Sequence, residues 1–126
     1  MSLRTPLGLA RGLGSAKEGT DHWWAQKVTS VALVPLTLWF VASLVALTGA
    51  GYDEVRAWLA SPVAAVLTIL FLATTFYHLK LGLQVVIEDY VPIAGQRIAL
   101  LIGVSFVCIL LGAFTIFAVL KISLGS

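Results

Sequence analysis

Three long apolar runs, separated by short polar clusters, organise the chain. Val28 to Thr48 carries no charged residue, and about 21 helical residues reach about 31 Å, enough to cross the hydrocarbon core of a bilayer. A second run extends from Val63 to Ile87 and is free of charge as far as Tyr77; the third, Ile98 to Leu120, has none at all. The pattern predicts an all-α membrane protein with three transmembrane helices over about 28–48, 63–87 and 98–120. These form an anchor domain, 27–126, behind an aqueous or interfacial arm, 1–26. Pro35, inside the first span, predicts a bend or a freed carbonyl. Gly49, Ala50 and Gly51 end that span, and Tyr52 to Leu59 predicts a short polar-aromatic connection. Ser61-Pro62 has the form of a helix start, with serine as the cap. From Glu88 to Arg97 the residues predict a loop, which Pro92 keeps from continuing the helix. Trp23 and Trp24 on one side, and Tyr52 and Trp58 on the other, suit the aromatic belts of a membrane interface. Gly103 and Gly112 are candidate close-packing points.

Composition agrees with lipid as the solvent. The 126 residues are 60% apolar and 11% charged, with a mean hydropathy of +1.00. Eight basic against six acidic residues, with no basic run interleaved with aromatics, gives no sign of a nucleic-acid partner. Cys108 is the single cysteine, so no internal disulfide or cysteine-built zinc site is available. Arg4, Arg11 and Lys17 precede no apolar segment with a cleavage site, unlike a secretory signal. Arg4, Arg11, Lys17, Lys27 and Arg97, with Lys80 leaning the same way, oppose Arg56 and Lys121. That bias predicts the amino terminus and the 88–97 segment inside, and the carboxyl terminus outside. Asp89 and Tyr90 then face the cytoplasm or matrix. The short arm favours a bacterial inner membrane over the mitochondrial one.

The second span departs from its apolar pattern at His78, Lys80 and Gln84. An ionisable group at membrane depth costs at least ~2.5 kcal/mol on insertion scales, so each such residue is a functional candidate. Eleven residues separate His78 from Asp89, about three helical turns, so in a helix both lie on one side. Gly82, one turn beyond His78, removes a side chain where a flat ligand would approach. The spacing suggests a planar cofactor held by the imidazole, with Asp89 and Tyr90 nearer water. The same residues also fit a histidine that only joins two helices by a hydrogen bond. Lys80 can snorkel towards the Glu88 end or meet an anionic group. His22 is either an interfacial histidine or a contact to a metal or anion.

The run His78-Leu-Lys-Leu-Gly82-Leu-Gln84-Val85, continuing to Asp89-Tyr90-Val91, resembles the signature of the hydrophobic membrane anchors of succinate dehydrogenase, respiratory complex II. Length, three spans and the polar Lys27-Val28-Thr29 start of the first span are similar as well. The resemblance implies that His78 is an axial ligand of a b-type haem, with the other ligand supplied by a second anchor subunit. It implies that Tyr90 donates a hydrogen bond to ubiquinone and that Asp89 supports the quinone site and its protonation. It places Lys27, where the family usually has arginine, near the haem propionates, with His22 assisting and Gly82 against the haem. Succinate oxidation and the iron-sulfur relay would belong to a flavoprotein subunit and an iron-sulfur subunit, tethered here to the lipid bilayer. Two alternatives stay open: a structural or transport-type three-span subunit without haem, and the anchor of a fumarate reductase.

Overall fold

A computed structural model describes residues 17–125, with side chains from residue 20 onward. The predicted arm up to residue 16, with Arg4 and Arg11, lies outside the described residues. The described chain is helical throughout: α1, Lys17–Ala46; α2, Tyr52–Ala60; α3, Pro62–Tyr90; and α4, Ala94–Ser123. Three stretches, Thr20–Ala46, Pro62–Tyr90 and Ala94–Ser123, are long and apolar enough to cross a membrane.

The helices begin and end differently from the apolar runs. Helix α1 is already formed at Lys17, so His22, Trp23, Trp24 and Gln26 stand on a helix and not in an arm. Polar side chains in this stretch do not prevent helical hydrogen bonding, and the first proline after Pro6 is Pro35. The helix runs on through Pro35, whose missing N–H leaves the carbonyl of Val31 without its usual partner. Gly49 takes φ +83°, the left-handed conformation that closes a helix end at least cost with glycine.

The expected connection at 52–59 is itself a helix, α2. Asp53 and Glu54 in its first turn complement the positive end of the helix dipole. Val55, Trp58 and Leu59 share one face, and the Trp58 ring stacks on Trp39 of α1 with centroids 5.8 Å apart. Ser61 does not cap α3 as its sequence suggests: its hydroxyl donates back to the carbonyl of Trp58 at 2.7 Å. Its backbone is extended (ψ 141°), as a following proline requires.

At the other end of α3, Glu88, Asp89 and Tyr90 belong to the helix and not to a loop. Proline restricts only the residue before it, so Pro92 makes Val91 extended and leaves Tyr90 helical. Twenty-nine residues make a rod of about 43 Å against a core of about 30 Å, so the last turn of α3 reaches the headgroup level. Helix α4 starts at Ala94, four residues before the apolar run begins.

Helix α3 is the middle of the arrangement. Both α1 and α4 pack on it, α2 lies against α3 and α4 with its Trp58 reaching α1, and among the described residues the backbones of α1 and α4 do not approach each other. Its contacts with α1 run antiparallel, from Gln26 beside Gly82 through Thr29 with His78 to Phe40 stacked on Phe71 at 4.8 Å. Little is enclosed. Among the described residues the buried apolar ones are Ala64, Ala65, Leu81, Ile87, Cys108 and Val119, and no large side chain is fully buried. Cohesion therefore rests on close approach of small residues. Gly112 is one such point, because a Cβ there would stand 3.6 Å from the Phe76 ring. Gly103 is not, for a Cβ would meet nothing within 4 Å. Gly112→Ala is therefore expected to be tolerated. Gly112→Leu must displace Phe76, and overpacking of that kind costs about 1–3 kcal/mol; a lowered thermal midpoint of the detergent-purified protein is the check.

Candidate functional site

Serine and threonine hydroxyls in these helices mostly return to their own backbone. Ser30 bonds Gln26, Ser43 bonds Trp39, and Ser105 bonds Leu101, each at 2.8 Å, the usual way to satisfy a hydroxyl in an apolar medium. Thr29 does this and one thing more. Its Oγ1 lies 2.8 Å from the carbonyl of Ala25 and 3.1 Å from that of Gln26, and also 2.8 Å from Nδ1 of His78 across the helix interface.

A threonine hydroxyl has one proton and two lone pairs. The two carbonyls can only accept, whereas Nδ1 accepts in one imidazole tautomer and donates in the other. With the Thr29 proton on a carbonyl, its lone pair accepts from Nδ1–H, the tautomer in which Nε2 is the bare nitrogen. In that tautomer Nε2 carries a free lone pair. It has no hydrogen-bond partner among the described residues, and it is not among their enclosed unpaired atoms, so it opens to the outside of the chain. Thr29 is buried and His78 half-buried.

Above this pair the seam between α1 and α3 stays polar. His22, Gln26 and Thr29 follow each other at spacings of four and three, one face of a helix. Gln26 Nε2 is 3.9 Å from where a Cβ of Gly82 would be, so the bare side of Gly82 is turned to α1. His22 Nε2 and Gln26 Oε1 are enclosed without a partner, as are Thr68 Oγ1 and Thr75 Oγ1 on α3. Thr68, Thr75 and Gly82 repeat at seven residues and so share a stripe. Buried polar atoms are normally paired, which makes this seam the chemically unsatisfied part of the described chain.

Other candidates lie elsewhere. Lys27 is two positions, about 200°, round the helix from Thr29, and its ammonium sits 5.5 Å from the centre of the Trp23 ring. Lys80 faces α4, on a groove of about 340 Å³ that Gln84, Ser105 and Phe106 also line, and has no ionic partner among the described residues. Gln84 itself donates to Glu88 at 3.2 Å. Asp89 is exposed and Tyr90 is 80% exposed, about 16 and 18 Å along the axis from His78 at 1.5 Å per residue. Two carboxylates, Glu88 and Asp89, stand in the last turn of α3 with no basic residue there. Negative charge at that end opposes the helix dipole by about 0.3–1 kcal/mol each, so their position is not explained by helix stability.

Read from the sequence alone, Gln26 and Thr29 are only polar groups at the mouth of the first span. Their spacing from His22 is the available signal, and it becomes legible once α1 is known to start before His22.

Comparisons with known proteins give the chain's family. The succinate dehydrogenase/fumarate reductase transmembrane subunit family matches residues 1–112. The chain belongs to that family. A succinate dehydrogenase hydrophobic membrane anchor subunit from Paracoccus denitrificans is 33% identical over 122 residues, covering 97% of this chain and 94% of the relative. A protein of the same description from Rickettsia bellii (strain RML369-C) is 34% identical over 107 residues, covering 85% and 86%. A succinate dehydrogenase membrane anchor subunit of Reclinomonas americana is 27% identical over 85 residues, covering 65% of this chain and 71% of the relative. No solved structure gives a significant match. The expected membership among succinate dehydrogenase membrane anchors is therefore correct, as is the all-helical architecture with three membrane-length apolar helices.

Proposed function

We propose that this chain is a membrane anchor of a succinate:ubiquinone oxidoreductase that lends one axial ligand to a b-type haem and part of a ubiquinone-reduction site. The observation carrying the proposal is the hydrogen bond between Thr29 and Nδ1 of His78, which, in the tautomer with the proton on Nδ1, leaves Nε2 as an outward-facing lone pair. That is the form in which histidine binds iron, with its other nitrogen donating to an oxygen. The donor set fits a shared site, because His78 offers one nitrogen and no three His, Cys, Asp or Glu side chains converge among the described residues. A second anchor subunit supplies the remaining ligand. A haem held there would supply one-electron redox chemistry at membrane depth.

The remaining roles follow position. Of the two residues expected near the propionates, His22 has the enclosed unpaired nitrogen, and Lys27 lies on another side of α1. Tyr90, in the headgroup-level turn of α3, presents its phenol for donation to a quinone carbonyl, where a preplaced donor stabilises negative charge developing on oxygen. Asp89, in the same turn, holds or passes the protons that quinol formation consumes. The charge bias supports an orientation with this turn and the amino terminus on the cytoplasmic side of a bacterial inner membrane, the side to which the iron-sulfur and flavoprotein subunits would attach.

The Thr29 bond would equally join α1 to α3 in a haem-free structural subunit, the second reading. Co-expression with the second anchor subunit separates them. A low-spin haem spectrum in the purified pair is the expected result, and a haem-free pair under haem-replete growth would reject the first reading.

A further inference from the structure

We propose that Thr29 is the positioning residue for His78, fixing the orientation and the electron-donating strength of the imidazole; this rests on the haem reading above. The hydroxyl of Thr29 is not free to turn, because the carbonyls of Ala25 at 2.8 Å and Gln26 at 3.1 Å hold its proton. It is also buried, where low polarisability of the surroundings strengthens a hydrogen bond and makes it directional. The backbone of α1 thereby decides where the accepting lone pair stands, and the 2.8 Å contact passes that decision to the ring of His78.

The chemical consequence has a definite sign. Donation from Nδ1–H to an oxygen raises electron density at Nε2, the atom left for iron, and a more basic ligand favours the ferric state. Removing the acceptor should raise the reduction potential and weaken retention of the group. It should also release the ring to other rotations about its axis, which the ferric low-spin electron paramagnetic resonance signal reports. Ser30 is an internal control: it makes the same kind of bond to Gln26 at 2.8 Å but is exposed and touches no second helix through its hydroxyl.

The test uses the complete detergent-purified complex. Thr29→Val keeps the branched shape and removes the acceptor; Thr29→Ser keeps the hydroxyl; Ser30→Ala is the control. Expected for valine are a raised haem midpoint potential, shifted low-spin g-values and haem transfer to apomyoglobin faster by about 10-fold, the lower end for loss of a metal ligand's hydrogen-bond partner. Serine and the control should match the parent. Valine with the parent's potential, g-values and transfer rate overturns the proposal. If the valine variant fails to assemble, Thr29→Cys, whose thiol is a poor acceptor, carries the test. A shift in the same direction supports the role, and parent-like values reject it. His78→Ala separates the two levels: a haemless His78→Ala complex beside an unaltered Thr29→Val complex removes only Thr29's role, whereas an unchanged spectrum in His78→Ala removes the haem reading itself.

Discussion

His78→Ala is expected to abolish the bis-imidazole spectrum of the assembled complex, with haem content falling towards zero, while the helices still pack. The two effects separate because of how the site is built. Thr29 retains both carbonyl partners when the ring is lost, so no hydroxyl proton is left unpaired. Loss of one interhelical hydrogen bond in a membrane costs only about 1 kcal/mol. The iron loses a whole ligand, however, and nothing nearby in this chain replaces it, since the other described histidine, His22, lies about two helical turns from Thr29 along α1. Optical and paramagnetic resonance spectra of the purified complex, normalised to protein, measure the outcome. An unaltered spectrum would reject His78 as a ligand.

The second large effect is expected from Tyr90→Phe. The side chain is 80% exposed and makes no contact within the described chain that the hydroxyl supports, so the variant keeps the fold and the ring and loses one O–H donor. Loss of a preplaced donor to developing negative charge typically lowers a rate by roughly 10²-fold. Quinone reduction should fall on that scale, with succinate oxidation by an artificial acceptor unchanged because the reaction upstream does not involve α3. Equal loss in both assays would count against a quinone role. Asp89 singles out the same turn: its carboxylate stands at the end of α3 against the helix dipole.

Much of this is readable without coordinates. Apolar runs of membrane length are a property of local sequence, and so is the anomaly of His78, Lys80 and Gln84 inside one of them. Helix ends are less legible. Hydropathy marks where lipid contact stops, whereas the helix stops where hydrogen bonding does, so α1 reaches back to Lys17 and α3 carries on to Tyr90. The connection at 52–59 reads as irregular because Asp53, Glu54 and Arg56 interrupt the apolar pattern, although Val55, Trp58 and Leu59 already outline one apolar face of α2.

The sequence by itself determined that the chain is a three-span membrane helical protein with an imidazole at depth and a phenol three turns away, because periodicity and charge cost act within one segment. Tertiary structure alone decided which neighbour each of those groups meets. It set Thr29 against His78, turned Gly82 towards Gln26, and sent Lys27 and Lys80 to other faces. Those pairings depend on the register and rotation of α1 against α3, and these are fixed by side chains meeting across the seam, Phe40 on Phe71 among them, a quantity that no single helix carries in its own pattern.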